Sequence, residues 1–160
     1  MIRRIQETDR AAYLRMAHDF YHSPAVMHPV PDSYLARGFD EMMRSGDYMQ
    51  GLIFEADGEV AGYALLCRTY SQEAGGPAVW IDEVYIKPEF RGRGLGHELF
   101  RNLRELLPAA RYRLEIEPDN VRAEKLYRSM GFERLPYAQM VLCTSQQKLD
   151  TRTRRIGHES

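Results

Sequence analysis

A glycine-rich loop between an apolar strand and an amphipathic helix is the sequence feature that most restricts the fold. The strand, AVWIDEVYIKP, is rich in Val, Ile, Trp and Tyr and is stopped by Pro88. The loop is RGRGLG, Arg91 to Gly96. Leucines then recur at helical spacing from Leu95 to Leu107, until Pro108 breaks the pattern. This order requires a fold in which a sheet strand runs directly into a helix.

The loop has the properties of an anion-binding site. At the start of a helix, backbone N–H groups lack intrahelical acceptors and the helix dipole is positive. Gly92, Gly94 and Gly96 let the backbone approach phosphate oxygens, and Arg91 and Arg93 add charge-assisted donors. A pyrophosphate fits this arrangement better than a single phosphate does. The alternative is a plain glycine-rich turn with solvated arginines.

Two common nucleotide-binding motifs do not match the register of these glycines. The dinucleotide fingerprint needs glycines at its first, third and sixth positions, but counting from Gly92 the sixth residue is His97. The phosphate loop of nucleotide hydrolases ends in Gly-Lys-Ser/Thr, and no lysine or hydroxyl residue occupies that place here. Both classes of protein are therefore disfavoured.

The rest of the chain predicts a mixed α/β or α+β fold. Its 160 residues fit one domain, which we expect to span residues 1–145 and to be followed by a polar tail over 146–160. The patterns predict a strand, two helices, three strands, a helix, a strand, a short helix and one or two final strands. Asp57 and Gly58 mark a hairpin between the second and third strands, and FERLPYAQMVLC contains the final strands.

Composition disfavours several kinds of partner. Lys and Arg number 22 against 23 Asp and Glu, so the chain has no overall attraction for nucleic acid or an anionic membrane. No segment approaches the roughly 20 apolar residues that span a bilayer, and we expect a cytoplasmic protein.

Cys67 and Cys143 lie in apolar runs and are expected to be buried and reduced. HDFYH, His18 to His22, has the spacing of zinc-binding helices, but no third ligand is readable, so we expect no metal.

Two motifs resemble those of the GCN5-related N-acetyltransferase (GNAT) superfamily. VYIKPEFRGRGLGHELF is similar to its signature, an apolar strand followed by R/Q-x-x-G-x-G/A, and the matching residues are Arg91, Gly92, Gly94 and Gly96. EIEPDNVRAEKLYRSMGF resembles a later motif of the family, and the matching residues are Asn120, Tyr127, Gly131 and Phe132. The resemblance implies the GNAT fold: a central, mostly antiparallel sheet of six to seven strands, helices on both faces and a splay after the fourth strand.

The resemblance also implies an activity and a cosubstrate. The family transfers the acetyl group of acetyl-CoA directly to a primary amine, without a covalent enzyme intermediate or a metal. The pyrophosphate would lie on the glycine loop, the pantetheine arm along the fourth strand, and Asn120 would hydrogen-bond that arm. The residues expected to bind acetyl-CoA are Val84, Tyr85, Ile86, Arg91, Gly92, Arg93, Gly94, Leu95, Gly96 and Asn120.

Three residues are candidates for catalysis. A primary alkylammonium has a pKa of about 10.4, so a base must remove its proton before attack. Asp82 is the first choice, because it lies four residues before Ile86, where diamine-acetylating relatives have a Glu; Glu83 is the second. Strand alternation is expected to send the two carboxylates to opposite faces. Tyr127 is the candidate acid for the departing thiolate, although its apolar stripe fits core packing as well.

The sequence leaves the acceptor open. In this superfamily the first two helices and the loop between them line the acceptor side, and a small-molecule amine is favoured. The alternatives are a protein or peptide acceptor, or a non-catalytic CoA-binding sensor of the same fold. YAQMVLC is a candidate surface for a homodimer, because an apolar edge strand can pair with a second copy.

Overall fold

A computed structural model describes residues 1–24, 26 and 28–144, so the tail predicted over 146–160 lies outside the described residues. In the described residues the strands are β1 (Ile2–Arg4), β2 (Met49–Ala56), β3 (Glu59–Ser71), β4 (Gly76–Ile86) and β5 (Arg111–Leu114). The α-helices are α1 (Arg10–Tyr21), α2 (Asp32–Arg44), α3 (Leu95–Leu106) and α4 (Val121–Ser129). None of these helices has both the length and the apolar character needed to cross a bilayer.

The strands form one mixed sheet in the order β1-β2-β3-β4-β5. The first four strands are antiparallel to their neighbours, and β5 is parallel to β4. The β2–β3 hairpin turns at Asp57 and Gly58, whose φ angles of 54° and 77° are those that a tight hairpin turn requires. The predicted hairpin and the mixed, mostly antiparallel sheet are therefore confirmed.

Helices cover both faces of the sheet because alternate strand residues point to opposite sides. Phe54 packs with Leu99 and Leu103 of α3 on one face. Ile53, its neighbour in β2, packs with Phe39 of α2 on the other face, where α1 also lies. Each large apolar side chain that is fully buried contributes roughly 1.5–3 kcal/mol, so these two clusters fix the helices on the sheet.

The expected six to seven strands are not found; the described residues contain five. Residues 133–144 form no strand, and Tyr137, Met140 and Leu142 are exposed there. The reason is that residues of high β-propensity form a strand only where a partner edge completes the hydrogen-bond ladder. This segment pairs with no described strand.

The two cysteines also differ from expectation. Cys143 is exposed, so the prediction of a buried thiol is wrong there; it lies in the segment that pairs with no described strand. Cys67 in β3 is half-buried, and burial, together with the nearby carboxylates Asp82 and Glu83, raises the pKa of its thiol to about 11. Cys67 therefore stays protonated at neutral pH and is a poor nucleophile.

Candidate active site

The strands β4 and β5 separate halfway along β4. Their pairing runs from Ala78 opposite Arg111 to Ile81 opposite Leu114, whereas β4 continues to Ile86 and remains paired with β3. No strand within the described residues lies against the β5-side edge of β4 from residue 82 to residue 86. An open edge of this kind can hydrogen-bond an extended ligand as a neighbouring strand would.

A β-bulge lies where this separation begins. On β3, Leu65 is opposite Glu83 and Leu66 is opposite Ile81, so Asp82 is an extra residue without a partner across the ladder. Ile81 packs in the cluster under α3, whereas the side chain of Glu83 bonds to α1. Regular alternation would place Ile81 and Glu83 on the same face, so the bulge is what turns Glu83 toward α1.

The glycine loop has open space where its side chains would lie. Gly92 and Gly94 have φ angles of +77° and +80°, in the left-handed region that favours glycine. A Cβ placed on either residue would have no other atom within 4 Å, so the backbone of the loop is accessible to a ligand. Gly96 has a different role, because its Cβ would lie 3.2 Å from the side chain of Leu126 in α4, which would have to move by a few tenths of an ångström.

The start of α3 supplies backbone donors to the same space. The first helical hydrogen bond runs from the N–H of Glu98 to the carbonyl of Gly94, at 2.9 Å. The N–H groups of residues 95–97 precede that bond and have no intrahelical acceptor, and the helix dipole is positive at this end. Accessible backbone and several converging N–H groups fit the pyrophosphate of coenzyme A.

The two arginines of the loop have different partners. Arg93 donates to Asp57 in the β2–β3 turn, at 2.5 Å, and its guanidinium lies 5.0 Å from the ring centre of Phe90. Arg91 donates from Nε to the carbonyl of Ile86, at 2.9 Å, and pairs with no carboxylate of the described residues. Arg93 therefore ties the loop to the sheet, whereas Arg91 keeps guanidinium N–H groups available for an anion.

Glu83 is a buried carboxylate held by two phenols. It is 5% exposed, and its two oxygens accept hydrogen bonds from the hydroxyls of Tyr21, at 2.5 Å, and Tyr63, at 2.6 Å. Burial raises the pKa of Glu83, the two phenols lower it in part, and the charge of Asp82 raises it further. No Lys or Arg in the described residues forms an ion pair with Glu83, so this negative charge lacks a counterion.

Asp82 reaches solvent at the rim of the bulge, although protein surrounds much of its side chain. Desolvation raises the pKa of Asp82, and the charge of Glu115, just beyond β5, raises it further. The structure thus places the two candidate bases side by side, with Glu83 enclosed against α1 and Asp82 accessible. A carboxylate that is accessible and has a raised pKa suits a general base.

The later motif places Asn120 and Tyr127 at opposite ends of α4. Asn120 caps the helix, because its side-chain oxygen accepts from the N–H of Ala123 at 3.1 Å, which leaves its amide hydrogens as donors. The ring of Tyr127 packs against Phe100 and Phe132 with ring centres 5.4 and 6.0 Å apart. Desolvation raises the pKa of Tyr127, and within the described residues no hydrogen bond joins it to either candidate base.

The histidines of α1 form a contact between helices rather than a metal cluster. The Nδ1 atom of His18 lies 2.9 Å from a carboxylate oxygen of Asp32, at the start of α2. The rings of His18 and His22 stack with centres 4.0 Å apart, and Nδ1 of His22 lies 2.8 Å from the carbonyl of His18. Within the described part of the chain, no group of three His, Cys, Asp or Glu side chains is arranged to hold a metal ion.

Sequence reasoning missed the two tyrosines that bond to Glu83. Tyr21 is the last residue of α1 and Tyr63 lies in β3, so both are distant from Glu83 in sequence. Tyr21 lies within HDFYH only as a residue between the two histidines, Tyr63 belongs to no motif, and each looks like an ordinary core aromatic residue. The available signal was indirect: a carboxylate inside an apolar strand needs hydrogen-bond donors when it is buried.

The site defines the class of an acyl-CoA-dependent N-acetyltransferase. Its three features are an open strand edge beside a bulge, a glycine loop at a helix start and an accessible carboxylate. Residues 12–132 match the model of the Acetyltransferase (GNAT) family, and the chain belongs to this family. The resemblance seen in the two sequence motifs is thereby confirmed.

Similar proteins cover most of the chain. It is 28% identical over 149 residues to a thialysine N-epsilon-acetyltransferase of Bos taurus, covering 87% of each chain. It is 33% identical over 89 residues to a spermine/spermidine N(1)-acetyltransferase of Bacillus subtilis, covering 52% of this chain and 57% of that one. The solved structure of the aminoglycoside N-acetyltransferase AAC(6')-Iy in complex with CoA has a TM-score of 0.73 and 18% identity, covering 91% and 95% of the two chains.

Proposed function

We propose that this protein transfers the acetyl group of acetyl-CoA to the primary amine of a small molecule. The observation that carries the proposal is the bulge, which presents the accessible carboxylate of Asp82 where the edge of β4 becomes free. The thialysine and spermine/spermidine acetyltransferases among the similar proteins support it, because their names specify small amines as acceptors.

The donor would be held by the glycine loop and the open edge of β4. Backbone N–H groups of residues 92–97 and the guanidinium of Arg91 would bind the pyrophosphate. Residues 84–86 would pair with the pantetheine amides along the strand edge, so Tyr85 would contribute only its backbone, since its ring packs on the α1 side. The free amide hydrogens of Asn120 would donate to the same arm.

Acyl transfer then requires that the acceptor nitrogen loses two protons and that the leaving thiolate gains one. Asp82 takes a proton from the acceptor ammonium, and the neutral nitrogen attacks the thioester carbonyl. A backbone N–H near Val84 would donate to the developing oxyanion, since no described strand pairs with the β5-side edge of β4 beyond Ile81. The C–S bond breaks as the amide forms, and the thiolate takes the proton of Tyr127, whose raised pKa keeps the phenol protonated at neutral pH. The nitrogen loses its second proton in the same step, and that proton restores the phenol of Tyr127, so the products are the amide, CoA as the thiol and protonated Asp82.

Uncompensated negative charge favours a cationic acceptor. Asp82 and Glu83 are adjacent, and no described Lys or Arg forms an ion pair with either of them. A protonated amine entering beside them supplies the missing positive charge before it loses its proton. A diamine or diamino acid has a second ammonium group, which stays charged when the first one loses its proton, so we expect it to bind better than a monoamine of the same length.

The test is CoA release with a panel of acceptors: polyamines, diamino acids, aminoglycosides and a peptide with a free N-terminus. We expect turnover with small diamines or diamino acids above that with the peptide, and a large loss of kcat in Asp82→Asn. Tight acetyl-CoA binding without turnover on any acceptor would identify a sensor instead. Turnover on the peptide alone would establish a protein acceptor.

We also propose that residues 137–143 form the surface of a homodimer. Tyr137, Met140 and Leu142 in this segment are 69%, 99% and 87% exposed, which is unusual for large apolar side chains. Sedimentation of the full chain should show a dimer that Leu142→Lys converts to monomer. A wild-type protein that sediments as a monomer at micromolar concentration contradicts the proposal.

A further inference from the structure

We propose that Tyr21 and Tyr63 are positioning residues, which hold Glu83 on the α1 side of the sheet and thereby fix the bulge that presents Asp82. This inference rests on the proposed function, because it assigns residues to the same reaction. It gives a role to a buried carboxylate and two phenols for which the proposed acyl transfer has no direct use.

The first support is the geometry of the bulge. A bulge is a local irregularity of the ladder, and it persists when the residues beside it have contacts that only the bulged register allows. Moving Asp82 into register would return Glu83 to the face where Leu99 and Ile81 pack. The carboxylate would then lose both phenols and enter an apolar cluster, so the two hydrogen bonds select the bulged register.

The second support is the origin of the two donors. Tyr63 is fully buried in β3, on the strand that pairs with β4 along its whole length, so it provides a rigid reference. Tyr21 is the last residue of α1, immediately before the segment that leads to α2. The carboxylate of Glu83 therefore joins the end of α1 to the bulge, and it couples the acceptor side to the position of Asp82.

The coupling predicts shifts of the pH profile in the same direction for two variants. The ionisable groups that face Glu83 are Tyr21 and Tyr13 from α1, Tyr63 and Cys67 from β3, and Asp82 in β4. Tyr21→Phe removes a hydrogen bond to the ionised form of Glu83 and so raises the pKa of Glu83. Glu83 then carries less negative charge beside Asp82, so the pKa of Asp82 falls and the acid limb of kcat/KM moves to lower pH. Glu83→Gln removes a like charge beside Asp82 and moves that limb to lower pH.

Tyr13→Phe is the matched control. Tyr13 lies in the same cluster, is 2% exposed and has its ring centre 5.0 Å from that of Tyr63, but its hydroxyl makes no hydrogen bond with Glu83. We expect Tyr21→Phe to lower kcat by roughly tenfold to a hundredfold, the effect of small misplacement of a catalytic group, with little change in the KM for acetyl-CoA. Tyr13→Phe should change neither kcat nor the pH profile.

Amide hydrogen exchange of residues 82–84 provides a readout that does not depend on turnover. Faster exchange there in Tyr21→Phe and Glu83→Gln than in Tyr13→Phe supports the inference even if no acceptor in the panel is acetylated, an outcome that would count against the proposed function alone. Glu83→Gln carries the test if Tyr21→Phe does not fold, because Gln keeps the shape of Glu. Exchange rates and pH profiles equal to those of Tyr13→Phe in both variants would overturn it.

Discussion

Substituting Gly92 by Ala separates the role of the loop in binding acetyl-CoA from its role in folding. Gly92 has a φ of +77°, and a Cβ there would meet no protein atom within 4 Å. The methyl group would therefore enter the space assigned to the pyrophosphate. Gly75 offers a matched control, because its φ is +69° and a Cβ there is equally unobstructed, but it lies in the β3–β4 turn at the other end of β4.

The expected magnitudes follow from this geometry. A left-handed φ costs an alanine about 1–2 kcal/mol, which for a chain of this length lowers Tm by roughly 2–8 °C in both variants. Loss of one hydrogen bond to a charged phosphate costs about 1.5–3 kcal/mol, which weakens acetyl-CoA binding by roughly tenfold to a hundredfold in Gly92→Ala alone.

Calorimetric titration with acetyl-CoA and thermal unfolding of both variants give the comparison. Pyrophosphate binding by the loop predicts similar losses of Tm in both variants and a weaker Kd only for Gly92→Ala. If both variants bind acetyl-CoA with the wild-type Kd, the loop does not hold the pyrophosphate and the donor site must be reassigned.

Three further predictions concern other residues. Tyr127→Phe should lower kcat by roughly tenfold or more while leaving Tm unchanged, because its ring packing is retained; an unchanged kcat would exclude Tyr127 as the acid. Asp82→Asn should lower kcat by about 10²–10⁴-fold. The Tm of Asp82→Asn should also rise relative to that of the wild type as pH increases from about 4 to 7, because the raised pKa of Asp82 makes its ionisation destabilising in the wild type. A Tm difference that does not change with pH would contradict this. Asp9→Asn should cost about 1–3 kcal/mol at neutral pH, since Asp9 is buried and accepts two hydrogen bonds from Arg3, at 2.7 and 2.9 Å. Because Arg3 lowers the pKa of Asp9, the Tm difference should shrink as pH falls below about 4, and Kd for acetyl-CoA should not change.

The sequence predicted those parts of the fold that local chemistry determines. Asp57 and Gly58 specified the hairpin, and the leucine spacing specified α3, because a tight turn and an amphipathic helix depend on neighbouring residues. The final strands were predicted wrongly for residues 133–144, since a strand depends on a partner that periodicity does not reveal.

The candidate site shows the same division. The glycine register of residues 92–96 predicted a loop with positive φ angles at a helix start, because these are local properties. The bulge at Asp82 was not predictable, since it arises from the match between β3 and β4 and from the phenols of Tyr21 and Tyr63. Likewise, the ion pair between Arg93 and Asp57 joins two turns that only the folded sheet brings together.

The most direct test of direct acetyl transfer is a single-turnover experiment with acetyl-CoA, with and without an accepted amine. Direct transfer predicts that CoA and the N-acetylated amine appear together at equal rates, and that the intact protein gains no acetyl group when the amine is omitted. An acetylated protein formed from acetyl-CoA alone, with release of CoA before the amine is added, would contradict it.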